Sequence, residues 1–335
     1  MGRRKRLAIV LVGLVAVGVL FAAGWPGYFR LFLIQPARDA AYFVRELQPF
    51  DHYAVIETRT PRADAHLVLP PSRQSQYEIE IAMDIWVPDT VPAPVAMLLH
   101  GSSPRGRRLG LNMMLADKLR DAGWLVLTPD ARGFGDSKVR DHFAEPRAWR
   151  VDEDLRRLVE FASNHPDSNG IVVGIGHSHG ANNLVDAGFG LEEFSALVLL
   201  GPGRSTGDGR PTYWYRVRFA SDRGLARPMH VEVVADYTSR RHPRRFEVAR
   251  TKAAGDVPIL LMDGQREGDR LIATLAEVAE RMEPPATHVT ILGSHHYCGA
   301  YQLPFLDAPV FVRPDVFDRC ASTILSFIAE NSNEQ

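Results

Sequence analysis

Cysteine is almost missing from this chain: Cys298 and Cys320 are the only two among 335 residues. Two are too few for a disulfide framework, and no Cys and His pairs stand at zinc spacing, so no metal site is expected. A dominant sign of charge is missing too, since 39 Lys and Arg stand against 40 Asp and Glu, a formal net charge of −1. That balance gives no whole-molecule reason to bind nucleic acid. Internal repeats and low-complexity tracts are absent, which excludes solenoids and disordered chains. What is there is a chain 45% hydrophobic and 24% charged, long enough for one large or two ordinary domains with a sizeable core.

Long uncharged runs are scarce, and the one that stands out lies at the N-terminus. Arg3, Arg4, Lys5 and Arg6 precede an uncharged stretch over residues 7–23. Seventeen residues is the lower edge of a membrane span and slightly long for a signal-peptide core. Trp25, Tyr28 and Phe29 follow where an interfacial aromatic belt would sit, and the leading positive charge predicts a cytoplasmic N-terminus. Residues 1–35 are therefore expected to form an uncleaved single-pass anchor in the inner membrane, with residues 36–335 on the extracytoplasmic side. A cleaved signal, leaving a secreted or periplasmic protein, is the alternative, with Ala22 and Gly24 as its small-residue pair. In either compartment two thiols tend to oxidise. A bridge between Cys298 and Cys320 would close a loop of about 22 residues, worth about 3 kcal/mol; two unrelated buried thiols are the other reading.

"HYAVIET" (52–58) and the alternating "YEIEIAMDIWVP" (77–88) read as strands of an early antiparallel part. From residue 94 the pattern changes to short, nearly continuous apolar runs, "PVAMLLH", "WLVLTPD", "IVVGIGHS", "ALVLLG" and "VPILLMDG". Runs of this kind are buried on both faces, and helical spacing lies between them at 111–123, 151–165 and 271–282. The fold class is therefore α/β: a doubly wound, mostly parallel sheet with antiparallel N-terminal strands. A strand at 288–292 and a helix over about 314–331 close the chain. More than fifty residues separate "LLGPG" from "VPILLMDG", far beyond an ordinary connection, so residues 203–256 are expected to be a cap insertion with aromatic and helical content.

Gly176, Ser178 and Gly180 form G-x-S-x-G between a strand and a helix start, which puts the serine on a sharp turn at the carboxyl end of a central strand. With "LLHGSS", "PDARGFGDS", "PILLMDGQREGD" and "ILGSHHY" in the same order, residues 52–331 resemble the α/β-hydrolase superfamily. The resemblance implies the chain order Ser, acid, His. A serine hydroxyl needs a base, and the family's last-strand loop matches residues 293–296, which makes His296 the expected base and His295 its alternative. The acid must orient that histidine and stabilise its imidazolium. Glu267 stands three residues after the strand-end glycine; Asp269, of the commoner residue type, is the alternative acid and also a plausible helix cap. Asp263 and Asp208 are lesser candidates. Oxyanion-hole amides are expected from Ser102 and from His179, the residue after the nucleophile. The glycines of "DARGFGDS" lack the Lys-Ser/Thr of a P-loop, so no nucleotide cofactor is expected.

The resemblance thus implies a serine hydrolase cleaving small-molecule or lipid-like carboxylic esters through an acyl-enzyme. A peptidase, thioesterase or acyltransferase on the same fold is the nearer alternative, and a catalytically silent binding scaffold the more distant one. Arg240, Arg241, Arg244 and Arg245 read first as a solvated cationic face and second as a site for anionic headgroups; Arg105, Arg107 and Arg108 raise the same choice.

Overall fold

The computed structural model of the chain describes residues 54–56, 64–69, 79–101, 103, 105–131, 134–139, 151–202, 213–220, 227–235, 257–282, 284–302 and 309–332. The chain divides into two compact units, the larger holding residues 49–207 and 241–335. The expected anchor, residues 1–35, lies outside the described residues. Among those described, no helix is long and apolar enough to cross a membrane.

The larger unit begins with β1 (Ala54–Ile56), β2 (Ala65–Leu69), β3 (Ile79–Trp86) and β4 (Ala93–Leu99). It continues through α1 (Gly110–Asp121), β5 (Leu125–Pro129), β6 (Lys138–Val139), α2 (Val151–Ser163), β7 (Ser168–His177), α3 (His179–Ala187) and β8 (Phe194–Leu200). The smaller unit contributes β9 (Tyr213–Ala220) and β10 (Arg227–Ala235), an antiparallel ribbon. The larger unit then resumes with β11 (Ile259–Gly264), α4 (Asp269–Arg281), β12 (Thr287–Ile291), β13 (Ala300–Tyr301), β14 (Val310–Val312) and α5 (Pro314–Ser332).

The main sheet runs β12-β11-β8-β7-β4-β5-β3-β2, with β6 beside β3. Its strands from β12 to β5 are parallel and β2 and β3 pair antiparallel, as the change of pattern at residue 94 predicts; the two-residue β6, beyond that point, also pairs antiparallel with β3. Successive side chains of a strand point to opposite faces. Val95, Met97 and Leu99 of β4 therefore enter one cluster, with Leu155, Leu158, Val159 and Ala162 of α2 and Leu184 of α3. Ala96 and Leu98 enter the other, with Leu111, Leu115 and Leu119 of α1 and Phe317, Ile324 and Ile328 of α5. The i, i+3, i+4, i+7 spacing of the four α2 residues is what makes that segment a helix with one buried stripe. Burial stabilises each large member of such a stripe by about 1.5–3 kcal/mol before ordering entropy is subtracted.

Two details depart from the sequence reading. β1 does not extend the early antiparallel strands; it pairs with β14, and β14 with β13, in a separate three-stranded sheet. A period-two pattern marks a strand but carries no information about its partner. In the insertion, the described residues are the two strands of the ribbon; the expected aromatic stretch is β9 itself, with Tyr213, Trp214, Tyr215 and Phe219 on a strand, and the basic run lies outside the described residues.

Chain direction across the sheet reverses between β4 and β7: β5 lies on one side of this pair and β8 on the other. Parallel α/β sheets bind ligands at the carboxyl ends of the strands at such a switch point. Both strands end there in the loops that carry His100 and Ser178.

Candidate active site

β7 ends at His177 and α3 begins at His179, so Ser178 alone makes the turn, with φ 50 and ψ −103. A non-glycine residue held in such a region costs about 1–3 kcal/mol and persists only where its surroundings enforce it. Here the Ser178 N–H donates to the Leu200 carbonyl (2.8 Å), and the Ser178 carbonyl accepts from the Asn182 N–H (3.0 Å). A Cβ at Gly176 would lie 2.5 Å from the Ala181 nitrogen, and one at Gly180 would strike the Leu99 carbonyl. Both glycines are therefore dictated by close backbone approach.

β11 ends at Gly264 and is followed by a single 3-10 turn, Gln265–Glu267. Glu267 accepts twice: Oε2 from the Gly264 N–H (3.0 Å) and Oε1 from His296 Nδ1–H (2.5 Å). The carboxylate thus selects the tautomer that leaves His296 Nε2 as a lone pair. Burial alone would raise the Glu267 carboxyl, but the His296 hydrogen bond, the His296 charge and the Gly264 N–H outweigh it and hold it below its ordinary value.

The other carboxylates go elsewhere. Asp269 is exposed in the first turn of α4, with Gly268 rather than Asp269 at the cap. Asp263 is buried and joined to His288 (2.7 Å), and Asp208 lies outside the described residues. His295 is 2% exposed, its Nδ1 accepting from the Tyr297 N–H (3.3 Å). The sequence alternatives thus separate spatially: Glu267 meets His296, while Asp269 and His295 occupy different surroundings.

Two neighbours of this pair were not singled out from the sequence. Gly201, which follows β8 at φ 51, presents its Cα to the pair; a Cβ there would be 2.7 Å from His296 Nδ1 and 3.5 Å from Glu267 Oε1. The glycine in "LLGPG" was the available signal. His177, beside Ser178, packs its ring against His296 at a centroid distance of 4.8 Å. Nothing in the spacing announces that contact.

The loop after β4 carries the remaining candidates. His100 donates from Nδ1 to the Gly101 carbonyl (2.7 Å) and accepts at Nε2 from the Ala131 N–H (2.8 Å), so its ring ties this loop to the one after β5. A Cβ at Gly101 would be 3.4 Å from Ser178 Cβ. Ser102 lies outside the described residues, whereas His179 directly follows Ser178 as the first residue of α3. Phe134 meets the His100 ring edge-on at 5.2 Å and the His179 ring at a tilt at 5.5 Å.

Arg107 is 1% exposed, which corrects its reading as a group for external anions. It donates from Nε to Asp84 (2.8 Å), from Nη1 to Asp130 and from Nη2 to Asp136 (2.9 Å). Arg108 also bonds Asp136 (2.7 Å). A charge so far from water persists only with partners of this kind. Among the described residues, no group of three or more His, Cys, Asp and Glu could hold a metal ion. A groove of about 750 Å³ lined by Pro258, Pro284, Arg319 and Phe327 lies at the opposite ends of β11 and β12 and contains none of the candidate residues.

Comparison with known proteins gives the same fold. The model of the "Alpha/beta hydrolase family" matches residues 96–314. A monoacylglycerol lipase of Mycolicibacterium smegmatis is 37% identical over 133 residues, 39% of this chain. The match spans 45% of that lipase, so the chain covers less than half of this curated relative's length. Among solved structures, the alpha/beta hydrolase GrgF from Penicillium sp. sh18 superposes with a TM-score of 0.56 at 14% identity, over 82% of this chain and all (100%) of that one. Est1E from Butyrivibrio proteoclasticus, bound to ferulic acid, gives 0.51 at 16% identity over 79% and 98% of the respective chains. At these identities the structural likeness is one of fold.

Proposed function

Because the chain belongs to the alpha/beta hydrolase family, we propose that it is a serine hydrolase that cleaves carboxylic esters through an acyl-enzyme on Ser178. One observation carries the reading: the 2.5 Å bond from His296 Nδ1–H to Glu267 lies around the Gly201 corner from a serine held at positive φ on a strand-to-helix turn. Nucleophile, acid and base then follow the order Ser178, Glu267, His296.

In this mechanism Ser178 Oγ attacks the ester carbonyl as His296 Nε2 takes its proton. Glu267 holds the ring in that tautomer and stabilises the imidazolium by charge, without accepting the proton itself. The oxyanion forms at the N-terminus of α3, where the His179 amide is one donor; Ser102 is the candidate for the second, and losing one such donor reduces kcat by about 10²–10³. As the intermediate collapses, His296 returns its proton to the departing alkoxide oxygen. Water then attacks the acyl-enzyme with His296 again as base, releasing the carboxylic acid and free Ser178.

For the substrate, the likeness to a monoacylglycerol lipase supports an ester of one acyl chain on a small polyol. The test is labelling by a fluorophosphonate probe together with fatty-acid release from a monoacylglycerol. Wild type is expected to show both and Ser178→Ala neither. Wild-type protein that the probe does not label would sink the serine reading; labelled protein that leaves monoacylglycerols intact would remove the substrate class alone.

A further inference from the structure

His177 adjoins three of the segments from which the proposed site is built: the Ser178 turn, the loop after β4 and the histidine loop. It precedes Ser178 on β7. Its Nε2 lies 2.8 Å from the main-chain oxygen of His296. A carbonyl only accepts, so Nε2 must carry a proton and donate. The other nitrogen, Nδ1, is buried and has no hydrogen-bond partner among the described residues, and a Cβ at Gly101 would come within 2.6 Å of it. The ring thus lies between the loop after β4 and the histidine loop, which also brings the Tyr297 ring to 5.3 Å.

We propose that His177 is a positioning residue, whose Nε2–H to the His296 carbonyl sets the general base in register with the neighbouring Ser178. The idea rests on the serine reading above. A structural argument separates this role from simple core filling. An apolar ring would fill the same space, whereas only a donor reaching the Nε2 position fixes the main chain of His296 and so the direction of its ring. The ring is also held neutral, burial pushing its pKa well below the ordinary imidazole value and the charge of His296 adding to that effect. Neutrality suits the place, since the imidazolium formed during acylation lies one ring away.

The two amide variants discriminate. His177→Gln puts a donor near the Nε2 position; His177→Asn, one methylene shorter, puts its amide nearer Nδ1. Turnover of a nitrophenyl ester is measured per site titrated with fluorophosphonate, so that misfolded protein is not counted. Relative to wild type, kcat is expected to fall about 10- to 100-fold in the Asn variant and about fivefold or less in the Gln variant, with KM within about threefold in both, a range set by the sensitivity of catalysis to ångström-scale misplacement. Equal kcat in the two variants would overturn the positioning role. If the Asn variant does not fold, wild-type imidazole ¹⁵N shifts decide: His177 should be Nε2-protonated and neutral at pH 7, and a proton on Nδ1 overturns the proposal. Wild-type protein that the probe does not label removes the serine reading and this role with it; normal labelling with indifferent variants removes this role alone.

Discussion

Glu267 and Asp269 stand two positions apart, yet one chain turn separates their chemistry. Glu267 bonds His296 from a side chain 8% exposed, while Asp269 faces solvent. Glu267→Gln is therefore expected to lower kcat by about 10²–10⁴, through the wrong histidine tautomer, and Asp269→Asn to leave it within about twofold. Steady-state kinetics on a nitrophenyl ester compares them; equal losses would return the acid to open status. Gly201 provides a steric test of the same pair. Gly201→Ala places a methyl against the His296–Glu267 bond and adds the left-handed backbone strain of an L-residue, about 1–2 kcal/mol. Gly123→Ala, at φ 89 with nothing within 4 Å of its Cβ, carries comparable strain far from the site. The expected result is a kcat lower by about 10²-fold in the first variant and unchanged in the second, with similar losses of Tm in both. Normal kcat in Gly201→Ala would mean that His296 need not hold this position.

At the scale of elements, the loops after β4 and β5 and the strand β3 are joined through Arg107. Its partners Asp84 and Asp130 are both pushed up to about 6, burial outweighing the attraction of the guanidinium. A carboxyl whose folded value exceeds its unfolded value near 4 takes up protons on folding, so its contribution to stability is largest at low pH and is lost as pH rises from about 4 to about 6. Glu267, held below its ordinary 4.5, acts in the opposite sense and at lower pH. Thermal melts at pH 4, 5 and 6 are expected to show a smaller decline in Tm for Asp84→Asn than for wild type. An unchanged decline would mean that Asp84 ionises in the folded protein as it does in the unfolded chain.

For the whole molecule, the bridge between Cys298 and Cys320 ties the histidine loop to α5 across 22 residues of sequence. Chain entropy values that closure at about 3 kcal/mol, so the Cys298→Ala/Cys320→Ala double variant should lose about that much in urea unfolding, and an unchanged midpoint would refute it. The alternating strand and helix patterns and the sharp strand-to-helix turn at Ser178 were readable along the chain, because hydrophobic period and turn chemistry belong to contiguous residues; the proposed order Ser178, Glu267, His296 came from the family resemblance. The partner of β1, the burial of Arg107 and the placement of His177 and Gly201 against His296 were not, because each joins segments distant in sequence. Read alone, the sequence supplied the fold class and a short list of candidate groups. Tertiary structure alone decided which carboxylate meets His296, since a hydrogen bond depends on direction and distance, and spacing along the chain records neither.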